Sequence, residues 1–440
     1  MARARVVFVS MVLFAALAGA FVWLARTGNF GPIVQEVTLT NGVTLRLVSV
    51  QCGTRHRNPF DTPWQQLASL VPDAVARRLK LPPAHPMLRS GTNKVLTAWI
   101  TVSPSVPSPG PGQPAFGLLM GDDEGNFAGD AGFMTLNGKT GDGRFYEGHR
   151  FAIFPRRSPT LRLRVYADPW NPGNLLHEFR IPNRFRSKTP PWTHPPAPAT
   201  AANGDLQATL ESFLIVTNTA SGDRYLARDR SVHLEFSVRQ GGAPTTNWVA
   251  YHVQRVADAT GNEGDGNSWN HGWDGERTYN RFSQWPLPAG EPWQMQVEFC
   301  QTAGFPESEI WHVEKVPIQD DAAPAPEVRT HMLHGERITL VRLGTPRWGR
   351  DRSDSPKRDV VLQLKAGGKP DLRRWHLTVV RAVASTGEAF ASGTWSGSDD
   401  DREFTYNVST NAGSMDFWIA YAPSRILEFT AEPTPSGSNR

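Results

Sequence analysis

Two clusters in this chain hold residue types that could do chemistry. The first is Trp269-Asn270-His271-Gly272-Trp273-Asp274, with two indoles in a polar, glycine-rich stretch. Such rings can stack on a sugar while Asp or Asn bonds its hydroxyls, since ligand sites pair apolar surface with a few placed polar groups. Trp269, Trp273 and Asp274 are therefore the candidate ligand-binding residues. The second cluster is Gly121-Asp122-Asp123-Glu124-Gly125-Asn126-Phe127-Ala128-Gly129-Asp130. Asp122, Asp123, Glu124 and Asp130 form a candidate cation loop, because a hard cation such as Ca²⁺ wants several oxygen ligands. Acidic stretches at 262–267 and 399–401 stand at comparable places further along. None has the EF-hand spacing, and Asp, Asn and Gly are also the residues that turns use. No cofactor is assigned, and Ca²⁺ is the ion the loop would suit.

Other catalytic patterns are absent. The chain has no GxSxG elbow, no HExxH, no Walker loop and no GxGxxG. The nearest metal pattern is His331-x-x-His334 with Glu336, at a linker-to-strand junction where that spacing does not align side chains on one face. A glycosidase needs two facing carboxylates about 5–9.5 Å apart, and nothing designates such a pair. The reading is non-enzymatic. Cys52 and Cys300 are the only cysteines. They are too few for a disulfide scaffold, although a single bridge between them would be permitted outside the cytoplasm.

The elements that would position these residues are strands. Val43-x-Leu45-x-Leu47 and Trp293-x-Met295-x-Val297-x-Phe299 alternate at period two, as half-buried strands do. Proline-rich stretches divide the chain into 36–183, 204–318 and 332–433, with linkers at 184–203 and 319–331 and a tail at 434–440. Pro-rich linkers act as extended, semi-rigid spacers. The three pieces read as copies of one plan. Each opens with two strands and passes a tyrosine (Tyr146, Tyr279, Tyr406). Each then runs an alternating strand and closes on a strand before Pro182, Pro317 or Pro433. Trp99, Trp293 and Trp418 are core candidates. Pieces of this size with many short strands suit antiparallel β-sandwiches of immunoglobulin-like architecture, although the Cys…Trp…Cys spacing is absent. Residues 61–80 in the first piece read as a helical insertion, broken at Pro72.

Residues 6–25 carry no charge and follow Arg3 and Arg5. At about 1.5 Å per residue they make about 30 Å of helix, enough to span a bilayer with the N-terminus inside. The expected fold class is thus all-β: an N-terminal transmembrane helix within 1–30, then three tandem sandwich modules. The alternative is a signal peptide cleaved near Ala20. Arg outnumbers Lys 38 to 8, which points to a GC-rich genome and a bacterial envelope. The net charge of +4 makes no case for nucleic acid. It hides a first piece at +5 beside a second at −7; the two modules are expected to attract each other, or the basic one to face anionic lipid headgroups or cell-wall polymer. The expected function is binding or scaffolding in the envelope. The partner would be an envelope protein or a polysaccharide. Carbohydrate binding is the alternative, and polysaccharide hydrolysis a weaker one.

Overall fold

The computed structural model describes residues 35–56, 58–61, 63–68, 73–81, 88–89, 95–103, 116–124, 127–129, 136–140, 144–167, 174–194, 197–217, 230–264, 266, 268–283, 290–319, 329–344, 356–367, 375–390, 394–396 and 401–435. Most of them are strand, in mainly antiparallel sheets that pack face to face as sandwiches. Residues 6–25 lie outside the described residues, and no helix among the described residues is long and apolar enough to cross a membrane.

In the first sandwich the larger sheet runs, in spatial order, Gln35–Thr38, Thr44–Gly53, Val95–Ser103, Phe145–Phe151, Leu136–Lys139. The smaller sheet runs Leu175–Pro182, Thr160–Tyr166, Gly117–Gly121, Phe127–Gly129. Numbered along the chain, the two spatial orders are first-second-third-seventh-sixth and ninth-eighth-fourth-fifth.

The second and third sandwiches repeat both orders. The second has Ala199–Asn203, Leu206–Thr217, Arg230–Gln240, Arg277–Ser283, Ser268–Asp274 against Arg425–Ala431, Trp293–Gln301, Trp248–Asp258, Glu263–Gly264. The third has Arg329–Leu333, Glu336–Gly344, Lys357–Gly367, Asp401–Ser409, Thr394–Ser396 against Ile310–Pro317, Ser414–Pro423, Trp375–Ala384, Ala389–Phe390. A β-bulge interrupts the second-to-third pairing in every copy, at Leu47/Ser49, Leu210/Ser212 and Leu340/Arg342. The order is not the immunoglobulin one, in which the second and third strands lie in opposite sheets. Here the first three strands meander through one sheet.

The ninth strands correct the sequence reading. Ile310–Pro317 does not close the second piece. It pairs with Ser414–Pro423 of the third, His312 opposite Trp418. Arg425–Ala431 does not close the third piece either, but pairs with Trp293–Gln301 of the second, Met295 opposite Phe429. The two sandwiches exchange their last strands within one chain. The cause lies in the connections. Only Ser424 separates Ser414–Pro423 from Arg425–Ala431, and an antiparallel hairpin needs about two loop residues. The chain cannot fold back there and runs on into the second sandwich. Each exchanged strand pairs with the eighth strand of the other sandwich, so that 293–317 and 414–431 run antiparallel as a ribbon shared by both.

Each sandwich has its own apolar core. The first and second cores meet at the loop after Phe145–Phe151. Ile153 belongs to the second sandwich's core, and the buried Arg156 donates from Nε to Asn262 Oδ1 at 2.8 Å. Asn262 is held by a turn in which Asp258 Oδ1 accepts from the backbone of Thr260 and Asn262, at 2.8 and 3.1 Å. Arg157 and Glu291 form a bidentate pair at 2.7 and 2.9 Å. One basic side chain of the first piece, Arg157, is thus paired with an acidic one of the second, Glu291. The proline-rich stretch is no free spacer, since Ala199–Asn203 is already the second sandwich's first strand.

Candidate functional site

Period-two alternation places consecutive strand residues on opposite faces, and this decides the fate of the first candidate cluster. Ser268–Asp274 is not a loop but the sixth strand of the second sandwich, at the edge of its larger sheet. Trp273 lies opposite Thr278, which is fully buried between the sheets. Asp274 lies opposite Arg277 on the outer face and is exposed. The half-buried Trp273 and Asp274 thus face different ways. Trp269 falls at a register shift between Ser268 and Asn270, and its side chain is outside the described residues.

The outer face itself is better furnished. Tyr279 lies across Gly272 of the neighbouring strand, where a Cβ would meet its hydroxyl at 3.1 Å. The Arg281 guanidinium sits 5.0 Å from the Tyr279 ring centre. Glu235 is opposite Tyr279 on the third strand, and Arg277 reaches its carboxylate at 3.5 Å. Ser231 and His233 share a hydrogen bond of 2.9 Å on this face. Burial, and then the nearby Arg281 charge, lowers the His233 pKa below the usual imidazole value. Ser231 is buried, and no carboxylate among the described residues bonds the other His233 ring nitrogen. The pair therefore lacks the third group that orients a base in nucleophilic catalysis.

The first sandwich has the same tyrosine–glycine pair in Tyr146 and Gly138, where a Cβ would lie 2.7 Å from the tyrosine hydroxyl. There it is covered. Phe60 stacks on Tyr146 with ring centres 4.6 Å apart, and Asn58 Nδ2 donates to the Tyr146 hydroxyl at 3.0 Å. The covering residues come from the insertion between the second and third strands. In the third sandwich Tyr406 instead faces inward, into the core against Phe417. The three tyrosines that mark the repeat thus have three settings: Tyr146 outward under the insertion, Tyr279 outward and half-buried beside Arg281, and Tyr406 inward. Nothing in the sequence separates the three, because the covering and the register are set by residues far along the chain.

The cation loop resolves differently. Asp122, Asp123 and Glu124 form the turn between the paired strands Gly117–Gly121 and Phe127–Gly129. The charges of Asp122 and Asp123 fall on Arg162, whose pKa is raised chiefly by its hydrogen bond to Glu178. Arg162, Arg164 and Arg180 together hold the Glu178 carboxyl near 2, with Arg162 the largest cause. A cation at this turn would compete with a guanidinium already present. Asp130 lies outside the described residues.

His331 stacks on Trp311 at 5.6 Å, while His334 leans on Trp375 at 5.5 Å. The two imidazoles thus serve different indoles. Among the described residues, no group of three His, Cys, Asp or Glu side chains could hold a metal ion. Cys52 and Cys300 are not joined by a disulfide.

No family model, curated protein or solved structure matches the chain. Its own geometry is what speaks for a site.

Cys300 belongs to the joint between the second and third sandwiches. It packs with Val249 and Tyr251, and burial pushes its thiol pKa well above the usual value. The Tyr251 ring lies edge-on to His271 at 4.8 Å and to His376 at 4.5 Å. Arg402 reaches its hydroxyl at 3.5 Å. Asn280 Nδ2 donates to the carbonyls of Ala250 and Tyr251 at 2.9 and 3.0 Å, where the fourth strand bulges. His376 and Arg402 tie Tyr251 to the third sandwich, while the Asn280 bonds stay within the second.

Proposed function

We propose that this chain is a membrane-tethered, non-enzymatic binding protein of a bacterial envelope. Residues 6–25 anchor it, and three linked sandwiches hold a binding face away from the bilayer. The observation that carries the reading is the way the sandwiches are joined. A shared ribbon couples the second and third, and the Arg156–Asn262 and Arg157–Glu291 contacts couple the first and second. Such joints suit a spacer that must keep its orientation, whereas independent modules on flexible linkers would reorient freely. Full-length protein is expected in the membrane fraction, released by detergent and not by salt. Deleting residues 6–25 should move it to the soluble fraction. A full-length protein found free in the cytoplasm would sink the proposal. Mature protein beginning near Phe21 would favour the cleaved, secreted form.

A carbohydrate ligand is the second reading. The outward-facing Tyr279 favours it, half-buried beside Gly272, Arg281, Glu235 and Arg277 on the outer face of the sheet. A ring on a flat polar platform can stack on a sugar while charged neighbours bond its hydroxyls. On a glycan array, Tyr279→Ala should weaken any hit by about tenfold or more, the usual cost of removing an aromatic anchor. Trp273→Ala should change little, because Trp273 faces the other side of the strand. Binding untouched by Tyr279→Ala would remove this reading.

A further inference from the structure

The insertion in the first sandwich is two-faced. It includes two short helices, α1 (Pro63–Ala68) and α2 (Asp73–Arg78). On the inner side Asn58 and Phe60 close over Trp99 and Tyr146. The two helical stretches carry Trp64, Val75 and Leu79, exposed by 63%, 41% and 59%. Six large apolar side chains are exposed among the described residues, and this one insertion holds three of them. Val75 and Leu79 are one helical turn apart, with the Leu79 N–H donating to the Val75 carbonyl at 2.9 Å, so they share a side. Arg77, Arg78 and Lys80 are exposed around them.

An exposed indole, and two exposed aliphatic side chains with basic residues beside them, suit the boundary between lipid headgroups and acyl chains. The apolar groups enter the boundary, and the cations meet anionic phosphates. The tether puts this surface within reach. Nine residues, 26–34, separate the apolar segment from Gln35. Fully extended they reach about 32 Å at most. Gln35–Thr38 is also the edge strand of the sheet whose outer face the insertion covers.

We propose that the outer side of the α1–α2 insertion is a membrane-contact surface. It lies on the anionic bilayer that residues 6–25 enter and holds the first sandwich against it. The inference rests on the tether reading above.

The test uses full-length protein reconstituted into vesicles of phosphatidylcholine alone and of phosphatidylcholine with phosphatidylglycerol. Hydrogen exchange is followed in peptides covering 63–80. These peptides should exchange more slowly on the anionic vesicles. The double variant Arg78→Glu/Lys80→Glu should lose that protection, since each basic group near an anionic surface strengthens contact about fivefold. Trp64→Ser should lose it too. Both variants alter exposed side chains, and unchanged exchange in the strands of the first sandwich would verify its fold. Equal exchange on the two vesicles, in protein that floats with them, would overturn the contact and leave the tether intact. Protein that stays out of the vesicle fraction would overturn both.

Discussion

A chain ending at Ser424 is expected to lose the fold of the second sandwich, although it keeps every residue from 199 to 424. The missing strand, Arg425–Ala431, supplies Leu427, Phe429 and Ala431 to that core, all buried. Phe429 contacts Phe236 and Phe299, with ring centres 5.2 and 6.4 Å apart. Removing a buried Phe side chain alone costs about 3–5 kcal/mol, against a whole-domain stability of about 5–15 kcal/mol. Losing the entire strand also leaves the edge of Trp293–Gln301 unpaired. The milder variant Phe429→Ala should therefore lower the stability of the second sandwich, not the third, by about 3–5 kcal/mol. By the same logic a fragment 199–318 should not fold, because its last strand belongs to the third sandwich. A fragment 199–435 should. Hydrogen exchange resolved by segment would separate these outcomes, with protection lost first in 206–301 for Phe429→Ala. A 1–424 chain protected there like the full chain would refute the exchange of strands.

Acid should loosen the joint between the second and third sandwiches, and His376 should dominate. Full burial lowers its pKa from 6.5 to about 3, with the charge of Arg402 and the neighbouring His271 adding to the effect. His271 is lowered as well, by burial first and by His252 next. For a group whose folded pKa is depressed below its unfolded one, the unfolded state binds the proton first. Stability is therefore complete above about pH 6.5 and falls as the pH drops toward 3. About 1.5 pH units below the unfolded value, near pH 5, about 2 kcal/mol is lost through His376 alone. Denaturant midpoints at about pH 7.5 and about pH 5 would measure that loss directly. His376→Gln should flatten the difference, whatever it does to stability at the higher pH. An acid limb of equal steepness in that variant would show that His376 is not its source. The expected casualty is the packing of Tyr251 between the two imidazoles, not the cores of the sandwiches.

The tryptophans show how much of this was legible. Trp99, Trp293 and Trp418 each sit in an alternating run, and by pattern all three belong in a core. Trp293 does, packed edge-on against Phe213 at 5.2 Å. Trp99 is fully buried but on the outer face, roofed by the insertion. Trp418 is only half-buried and outside the core, stacked on His312 at 4.2 Å with Arg381 4.9 Å from its ring centre. Period two says that a side chain shares a face with its second neighbour. It does not say which face looks inward when both carry aromatic residues, nor what later segment covers the outer one. The same gap misplaced Trp273 and Asp274. Two adjacent residues that look like one site in a loop become residues on opposite faces once the segment joins a sheet edge.

What the amino-acid order determined by itself is local. Alternating apolar residues, turn glycines and proline breaks specify strands, their approximate ends and their threefold recurrence, because those signals depend on neighbours a few positions apart. The charge division between the first and second pieces was also readable, since it needs only counting. Tertiary structure alone decided which strand completes which sheet. Met295 pairs with Phe429 and His312 with Trp418 across more than a hundred residues of chain. That choice follows from a one-residue connection at Ser424, too short to turn, and from two cores that each lack a ninth strand until the other's sequence supplies it.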